Sequence, residues 1–241
     1  DTETVLKLYQ KLGLEMLDKL NGMFVFALWD EVKRELIVAR DKSGKKPLYF
    51  TEQNGRLVFA SELKAIFSLP WINKALDYTA LSDFLTYNIA LPPSTLFKDI
   101  YKFNAGHVMR LNAHGVVDYR PYYAIKKRDL ADATEHELAE LTFTTLDKSV
   151  KDRLISDVPV GTFLSGGVDS SAVAALMRHN TDGVIKSFTI GFEGQADYDE
   201  RKYAEKIARQ FNLDHHTKVG KPQDLVTDLS AVGDVYDEPQ A

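Results

Sequence analysis

The chain has 241 residues, 44% hydrophobic and 27% charged, with 30 basic against 35 acidic side chains for a net charge of −5. At roughly 150 residues per domain this is one to two globular domains with room for a sizeable core. The acidic balance argues against an electrostatic nucleic-acid binder, and a cysteine count of zero excludes a disulfide framework, a thiolate zinc site and a thiol nucleophile within these residues.

The longest apolar runs, such as Met23 to Trp29, fall far short of the roughly 20 residues of a membrane helix, and no signal peptide precedes them. The expectation is a soluble, cytoplasmic protein. Asp1 reads as the N-cap of an amphipathic helix carrying Val5, Leu8, Leu12, Leu17 and Leu20. The chain closes as abruptly as it opens, at Asp237-Glu238-Pro239-Gln240-Ala241, so both ends read as cuts in a longer chain.

Four β-like runs follow, Gly22 to Trp29, Glu35 to Asp41, Pro47 to Thr51 and Arg56 to Ser61, with the hairpin signal Asn54-Gly55 between the last two. Connections this short force antiparallel pairing. In the first two runs both alternating faces are apolar, Met23, Val25 and Ala27 against Phe24, Phe26 and Leu28, which predicts a sheet covered on both sides. Two further strands, His107 to Leu111 and Val116 to Arg120, flank a turn at Gly115. The first half is thus predicted as layered α/β with antiparallel sheets.

The charged run between Ala124 and Ala133 reads as an interdomain linker, and its Lys126-Lys127-Arg128 as solvated rather than as a nucleic-acid patch. Thr134 with Glu137 three residues on is a capping box, and Leu138, Leu141, Leu146, Val150 and Leu154 continue at helical spacing. Strand and helix then alternate: Val158 to Leu164, Val168 to His179, Val184 to Phe192, Tyr198 to Phe211, His215 to Val219 and a helix Pro222 to Tyr236. Such repeats need crossovers, which predicts a parallel sheet with helices on both faces.

The sharpest chemical feature is Phe163-Leu164-Ser165-Gly166-Gly167-Val168-Asp169-Ser170-Ser171, where the first strand of the second half turns into its first helix. Ligands of open α/β sheets sit outside the carboxyl ends of strands. Gly166 and Gly167 allow positive φ and close approach of the backbone to an anion; Ser165, Ser170 and Ser171 add hydroxyl donors, and the helix N-terminus favours negative charge. Together these point to phosphate. Asp169 would repel phosphate unless a cation lay between, which implies Mg²⁺ held jointly by carboxylate and phosphate oxygens.

Read plainly, the same residues are a turn capping a helix. Average usage gives Ser-Gly-Gly-x-Asp-Ser a chance occurrence on the order of 10⁻⁴ to 10⁻³ in a chain this long. Ser43-Gly44-Lys45-Lys46 lacks the first glycine and the hydroxyl of a Walker loop, and Phe163 stands where a nucleophile elbow requires glycine. The adjacent His215 and His216 point to opposite faces of a strand, which argues against a metal pair.

Ser156-Asp157-Val158-Pro159-Val160-Gly161 running into this loop closely resembles the pyrophosphate loop of glutamine-hydrolysing asparagine synthetases. The resemblance extends through Gly22 to Leu28, Arg40-Asp41-Lys42-Ser43-Gly44 with Pro47-Leu48-Tyr49, Ala60-Ser61-Glu62, Ser187 to Phe192, Asp199-Glu200, His215-His216 and Tyr236-Asp237-Glu238-Pro239. It implies a layered αββα glutaminase domain of the N-terminal-nucleophile type over residues 1–124 and the start of a parallel α/β ATP-pyrophosphatase domain over 125–241. The implied chemistry is amidation of aspartate through β-aspartyl-AMP, with ammonia from glutamine and with AMP and pyrophosphate released. By the same match Ser165, Gly166, Gly167, Asp169 and Ser170 hold pyrophosphate and Mg²⁺, Phe163, Leu164 and Ile190 frame adenine through backbone contacts, and Asp41 binds the α-amino group of glutamine. Without the resemblance, Asp41 is more simply a turn-former.

The sequence departs from the family where activity is decided. The family's glutaminase nucleophile is an N-terminal cysteine, absent here, as are the glutamine-binding segments before the first helix and an acidic Ser-Gly-x-Gly-x-Asp-Glu stretch expected beyond Glu238. Glutamine hydrolysis by these residues alone is therefore not expected. Asn104-Ala105 replaces a proline-rich pair before Gly106-His107, a loop change without functional consequence. Implied partners are glutamine, ATP and aspartate or a related carboxylate, with a homodimer allowed for the whole enzyme and neither nucleic acid nor membrane. Competing readings are a β-lactam synthetase-like relative, another carboxylate-amidating ATP-pyrophosphatase, and a non-catalytic nucleotide-binding relative.

Overall fold

The computed structural model describes residues 1–127, 129–193, 199–221 and 235–239. The chain divides into two compact units, Asp1–Lys127 together with Ala231–Ala241, and Arg128–Ser230.

In the first unit, helix α1 (Thr2–Leu12) starts where the Asp1 carboxylate accepts the Thr2 N–H, and it stops at Gly13, whose φ of 58° breaks the helix. A 3₁₀ turn (Gly13–Glu15) leads into α2 (Met16–Lys19), which buries Met16 and Leu17. Strands β1 (Val25–Asp30), β2 (Glu35–Arg40), β6 (His107–Asn112) and β7 (Gly115–Pro121) form one antiparallel sheet in the order β1-β2-β6-β7. Strands β3 (Tyr49–Gln53), β4 (Arg56–Ala60) and β5 (Ile100–Lys102) form a second, ordered β4-β3-β5.

Side-chain alternation stacks these elements. Ile37 and Ala39 of β2 pack with Met16, Leu17, Leu28 and Val108 beneath α1 and α2, while Val38 between them points the other way, to Leu48, Phe103, Met109 and the rings of Phe50 and Phe59. On the far side of the second sheet, Leu63 and Ile66 of α3 (Leu63–Phe67) meet Ile72 and Ile100. The order is helix, sheet, sheet, helix. The expected coverage of both faces thus holds for β2, but on the edge strand β1 Ala27 is exposed and Trp29 is 49% exposed. The sequence reading left α3, α4 (Tyr78–Tyr87) and β5 unassigned.

In the second unit, α5 (Glu135–Arg153) carries the expected capping box, with Thr134 Oγ1 accepting from Glu137 N–H and the Glu137 carboxylate accepting from Thr134 N–H. Strands β8 (Gly161–Phe163), β9 (Lys186–Phe192) and β10 (Asp214–Gly220) form a parallel sheet in the order β10-β9-β8. The crossovers are α6 (Val168–Asn180) and α7 (Arg201–Gln210), which meet over Leu164, Ala174, Ala204 and Ala208. Both therefore lie on one face, so the two crossovers leave the expected coverage of the second face to elements outside them. Two right-handed crossovers stepping in the same direction place their helices on the same side; opposite coverage needs a reversal of strand order. The expected helix Pro222 to Tyr236 lies outside the described residues over 222–234.

Arg178 of α6 ties the turn after α6 to the turn after α7, donating to the carbonyls of Phe211, Asn212, Thr181 and Gly183 at 2.8–3.1 Å. Lysine cannot reproduce a planar fork over four carbonyls, so Arg178→Lys should cost about 2 kcal/mol. Both tryptophans, Trp29 and Trp71, lie in the first unit. Urea titrations should show an earlier transition by circular dichroism and an unshifted one by tryptophan fluorescence.

Candidate functional site

The serine-glycine loop begins where the β8–β9 ladder ends. Leu164 N–H still donates to Phe188 O at 2.9 Å, and its side chain is buried against Ala174, Ala204 and Ala208. The next turn is possible only with glycine. Gly166 has φ 80°, and a Cβ there would stand 2.5 Å from Tyr203 Cβ and 2.7 Å from Ala204 N on α7. Gly167 is the N-cap of α6 and supplies no side-chain cap, so the helix begins without a side-chain acceptor for its first N–H groups.

The hydroxyls shape the loop. Ser170 Oγ lies 2.9 Å from Ser165 Oγ and accepts from Ser165 N–H at 3.2 Å, while Gly167 N–H donates to Ser165 Oγ at 3.2 Å. Behind them Ser171 Oγ is buried with no hydrogen-bond partner among the described residues. Asp169 is exposed in the first turn of α6. An anion would meet glycine N–H groups, hydroxyls and the positive end of a helix dipole.

Mg²⁺ can be tested against this donor set. The described residues contain no group of three or more His, Cys, Asp or Glu able to hold a metal. Octahedral Mg²⁺ needs six oxygens and keeps several waters. Among the described residues a single carboxylate, Asp169, stands beside the cradle; it would suit Mg²⁺ brought in on a phosphate chain, which supplies the remaining oxygens.

Of the residues expected to frame adenine, Phe163 and Ile190 come together in a groove of about 420 Å³ with Phe188, Thr189, His216, Thr217 and Lys218. Leu164 lies apart from it, its side chain on the helix-covered face and its carbonyl accepting from Thr189 Oγ1. The two histidines diverge as expected: His215 Nδ1 meets the buried Ser187 Oγ at 2.9 Å, and His216 stacks on Phe188. Burial pushes the His215 pKa below its ordinary value.

Asp41 departs from the expectation. Its carboxylate is fully buried: Oδ1 accepts from Ser43 N–H at 3.1 Å, Lys45 N–H at 2.9 Å and Ser43 Oγ at 3.3 Å, and Oδ2 accepts from Lys46 N–H at 3.0 Å. A buried carboxylate that already accepts three N–H groups and a hydroxyl of its own loop organises that turn, and none of these contacts faces a ligand site. What the sequence reading missed is a separate cleft of about 520 Å³ in the same unit, lined by Asp1, Phe24, Lys46, Leu48 and Ser61 among others. In sequence Asp1 shows only as a helix cap, and Lys46 only as part of a segment that fails as a Walker loop.

Known proteins match the chain in two stretches. Residues 1–123 match the glutamine amidotransferase domain family and residues 143–241 the asparagine synthase family. The chain belongs to the glutamine amidotransferase family, and its two matches in this order are those of the glutamine-hydrolysing asparagine synthetases. Among its relatives, glutamine-hydrolysing asparagine synthetase 3 of Bacillus subtilis strain 168 is 32% identical over 99% of this chain and 41% of its own length. Glutamine-hydrolysing asparagine synthetase 1 of the same strain is 31% identical over 100% of this chain and 38% of its own length. A Gibberella zeae protein named amidase chry2 is 30% identical over 90% and 34%. The chain spans less than half the length of each of these relatives.

Burial raises the Asp41 pKa, but the N–H groups of Lys46, Lys45 and Ser43 outweigh it and hold the carboxyl below its ordinary 3.8. Such a group contributes stability in full above its unfolded pKa, and the contribution is lost as pH falls through the depressed folded value. Asp41→Asn should therefore cost about 2–3 kcal/mol near neutral pH. The difference from wild type in chemical denaturation should stay constant down to about pH 5 and shrink below about pH 4.

Proposed function

We propose that the protein to which these residues belong is a glutamine-hydrolysing asparagine synthetase, coupling ammonia release from glutamine to ATP-dependent amidation of aspartate. The observation that carries this reading is the Gly166 turn with the uncapped start of α6, at the carboxyl end of β8, in a stretch matched to asparagine synthase. In it Gly166, Gly167, Ser165 and Ser170 grip the pyrophosphate portion of ATP, and Asp169 holds Mg²⁺. The ion's chemistry is to offset the charge of the departing pyrophosphate. Gripping the outer phosphates leaves the α-phosphorus open to a carboxylate, so the loop works by positioning and electrostatics. Phe163 and Ile190 then border the adenine, and Leu164 offers it only main chain.

Residues 1–124 act as the glutaminase domain and 125–241 begin the synthetase domain. The helix-sheet-sheet-helix layering supports an N-terminal-nucleophile αββα fold for the former. A carboxylate and an ammonium on one cleft, Asp1 and Lys46, suit the two charges of a free α-amino acid, which makes that cleft the glutamine pocket of this reading. No cysteine lies within the 241 residues. A second reading, in which the amidated acceptor is a carboxylate other than aspartate, is left open by a relative that carries a name other than asparagine synthetase.

A chain carried to the full length of its relatives, supplied with ATP, Mg²⁺, aspartate and glutamine, should release pyrophosphate and form asparagine in equal amounts. Absence of aspartate-dependent pyrophosphate release would overturn the asparagine reading, and release with another carboxylate would favour the second. In that protein Asp169→Asn should lower pyrophosphate release at least about 100-fold while glutamate production from glutamine persists.

A further inference from the structure

Two carboxylates close to the end of the chain make contacts that the proposed reaction does not use. Glu238 is only 9% exposed; its Oε1 accepts from Leu96 N–H at 2.9 Å and its Oε2 lies 2.9 Å from Lys102 Nζ. Lys102 Nζ also donates to Ala90 O at 2.9 Å. The neighbouring Asp237 accepts from Leu63 N–H at 2.6 Å through Oδ2. Sequence separations of 142 and 174 residues make these the longest-range side-chain contacts among the described residues of their unit. Every partner lies in the glutamine amidotransferase match, whereas Asp237 and Glu238 lie in the asparagine synthase match.

The contacts also shape a cavity. A cleft of about 590 Å³ in the first unit is lined by Arg40, Lys45, Tyr49 and Lys102, and its wall is completed by Glu238 and Pro239. Arg40 gives its guanidinium hydrogen bonds to the carbonyls of Gly44, Lys46 and Phe103, so no carboxylate accepts from it. Glu238 is the single acidic residue among the cleft's ionisable lining groups, set against Arg40, Lys45 and Lys102.

We propose that Leu63 N–H, Leu96 N–H and Lys102 Nζ form a docking surface whose partner is the acidic segment 235–239 of the same chain, and that the docked segment sets the shape and charge of the cleft lined by Arg40, Lys45 and Lys102, which is not the cleft of Asp1 and Lys46. Withdrawal of the segment opens the cleft and leaves it cationic. By linkage, a molecule held in the cleft against Glu238 favours the docked state, and whatever pulls the segment away weakens that binding. The inference stands on the contacts and the two family matches, independently of the reaction proposed for the site on α6.

Amide hydrogen exchange on the whole chain tests it. The double variant Asp237→Asn with Glu238→Gln should accelerate exchange of the Leu63 and Leu96 amides about tenfold or more, leaving Ile37 and Val38 in β2 unchanged. Lys102→Met should accelerate Leu96, and Lys98→Met, at an exposed neighbouring lysine, should not. Wild-type rates at Leu63 and Leu96 in the double variant would overturn the proposal. So would equal acceleration of Ile37 and Val38, since that pattern is loss of the whole fold rather than undocking.

Discussion

The first unit turns on two residues at the end of β2. Arg40 and Asp41 carry opposite charges, yet each directs its side chain at main chain: the guanidinium donates to carbonyls of Gly44, Lys46 and Phe103, and the carboxylate accepts from N–H groups of Ser43, Lys45 and Lys46. Their own main chain reaches further, with Asp41 N–H on Phe24 O, Asp41 O accepting from Gly44 and Gly106, and Arg40 O accepting from Tyr122 Oη. The lead-in to β1, the loop before β3 and the chain on either side of the β6–β7 pair are thereby fixed around one point. Buried loop backbone demands such partners, because each unpaired N–H or carbonyl there costs of order 1–3 kcal/mol.

A different constraint governs the second unit. A parallel sheet is normally covered on both faces, and in β9 Ser187, Thr189 and Gly191 are buried on the helix side while Phe188, Ile190 and Phe192 are exposed on the other. The serine-glycine loop turns in toward the helix-covered side, while the groove of Phe163, Phe188 and Ile190 opens on the other face. Gly166 presses on Tyr203 and Ala204 of α7, and Gly191 leaves room for the stem of Arg201, which pairs with Asp199 through two 2.7 Å hydrogen bonds. Close approach of α7 thus holds the loop at the start of α6 in the positive-φ conformation that an anion cradle needs.

Much of this was legible from residue order. The capping box at Thr134, the alternation within β2, the Asn54-Gly55 turn and the serine-glycine loop are local patterns, and local patterns encode local geometry. What escaped was non-local. The stretch holding α3, α4 and β5 lacks a clear period, and its elements form through contacts such as Leu63 and Ile66 against Ile100. For Asp41 the plain residue reading, a turn-former, matches its contacts, whereas the glutamine role came from the resemblance alone; an aspartate in a loop looks the same in sequence whether its carboxylate faces a ligand or its own backbone.

The sequence by itself determined the two-part organisation, the antiparallel and then parallel pairing, and a glycine turn at Ser165–Ser170 leading into a helix, because spacing, turn residues and helix caps act over a few positions. Tertiary structure alone decided that both crossover helices share one face, that Asp41 is sealed inside its loop, and that Glu238 reaches Leu96 across 142 residues of chain and pairs with Lys102. Those outcomes depend on which surfaces meet once the chain is compact. A carboxylate's environment is fixed by its neighbours in space, and those neighbours are distant in sequence.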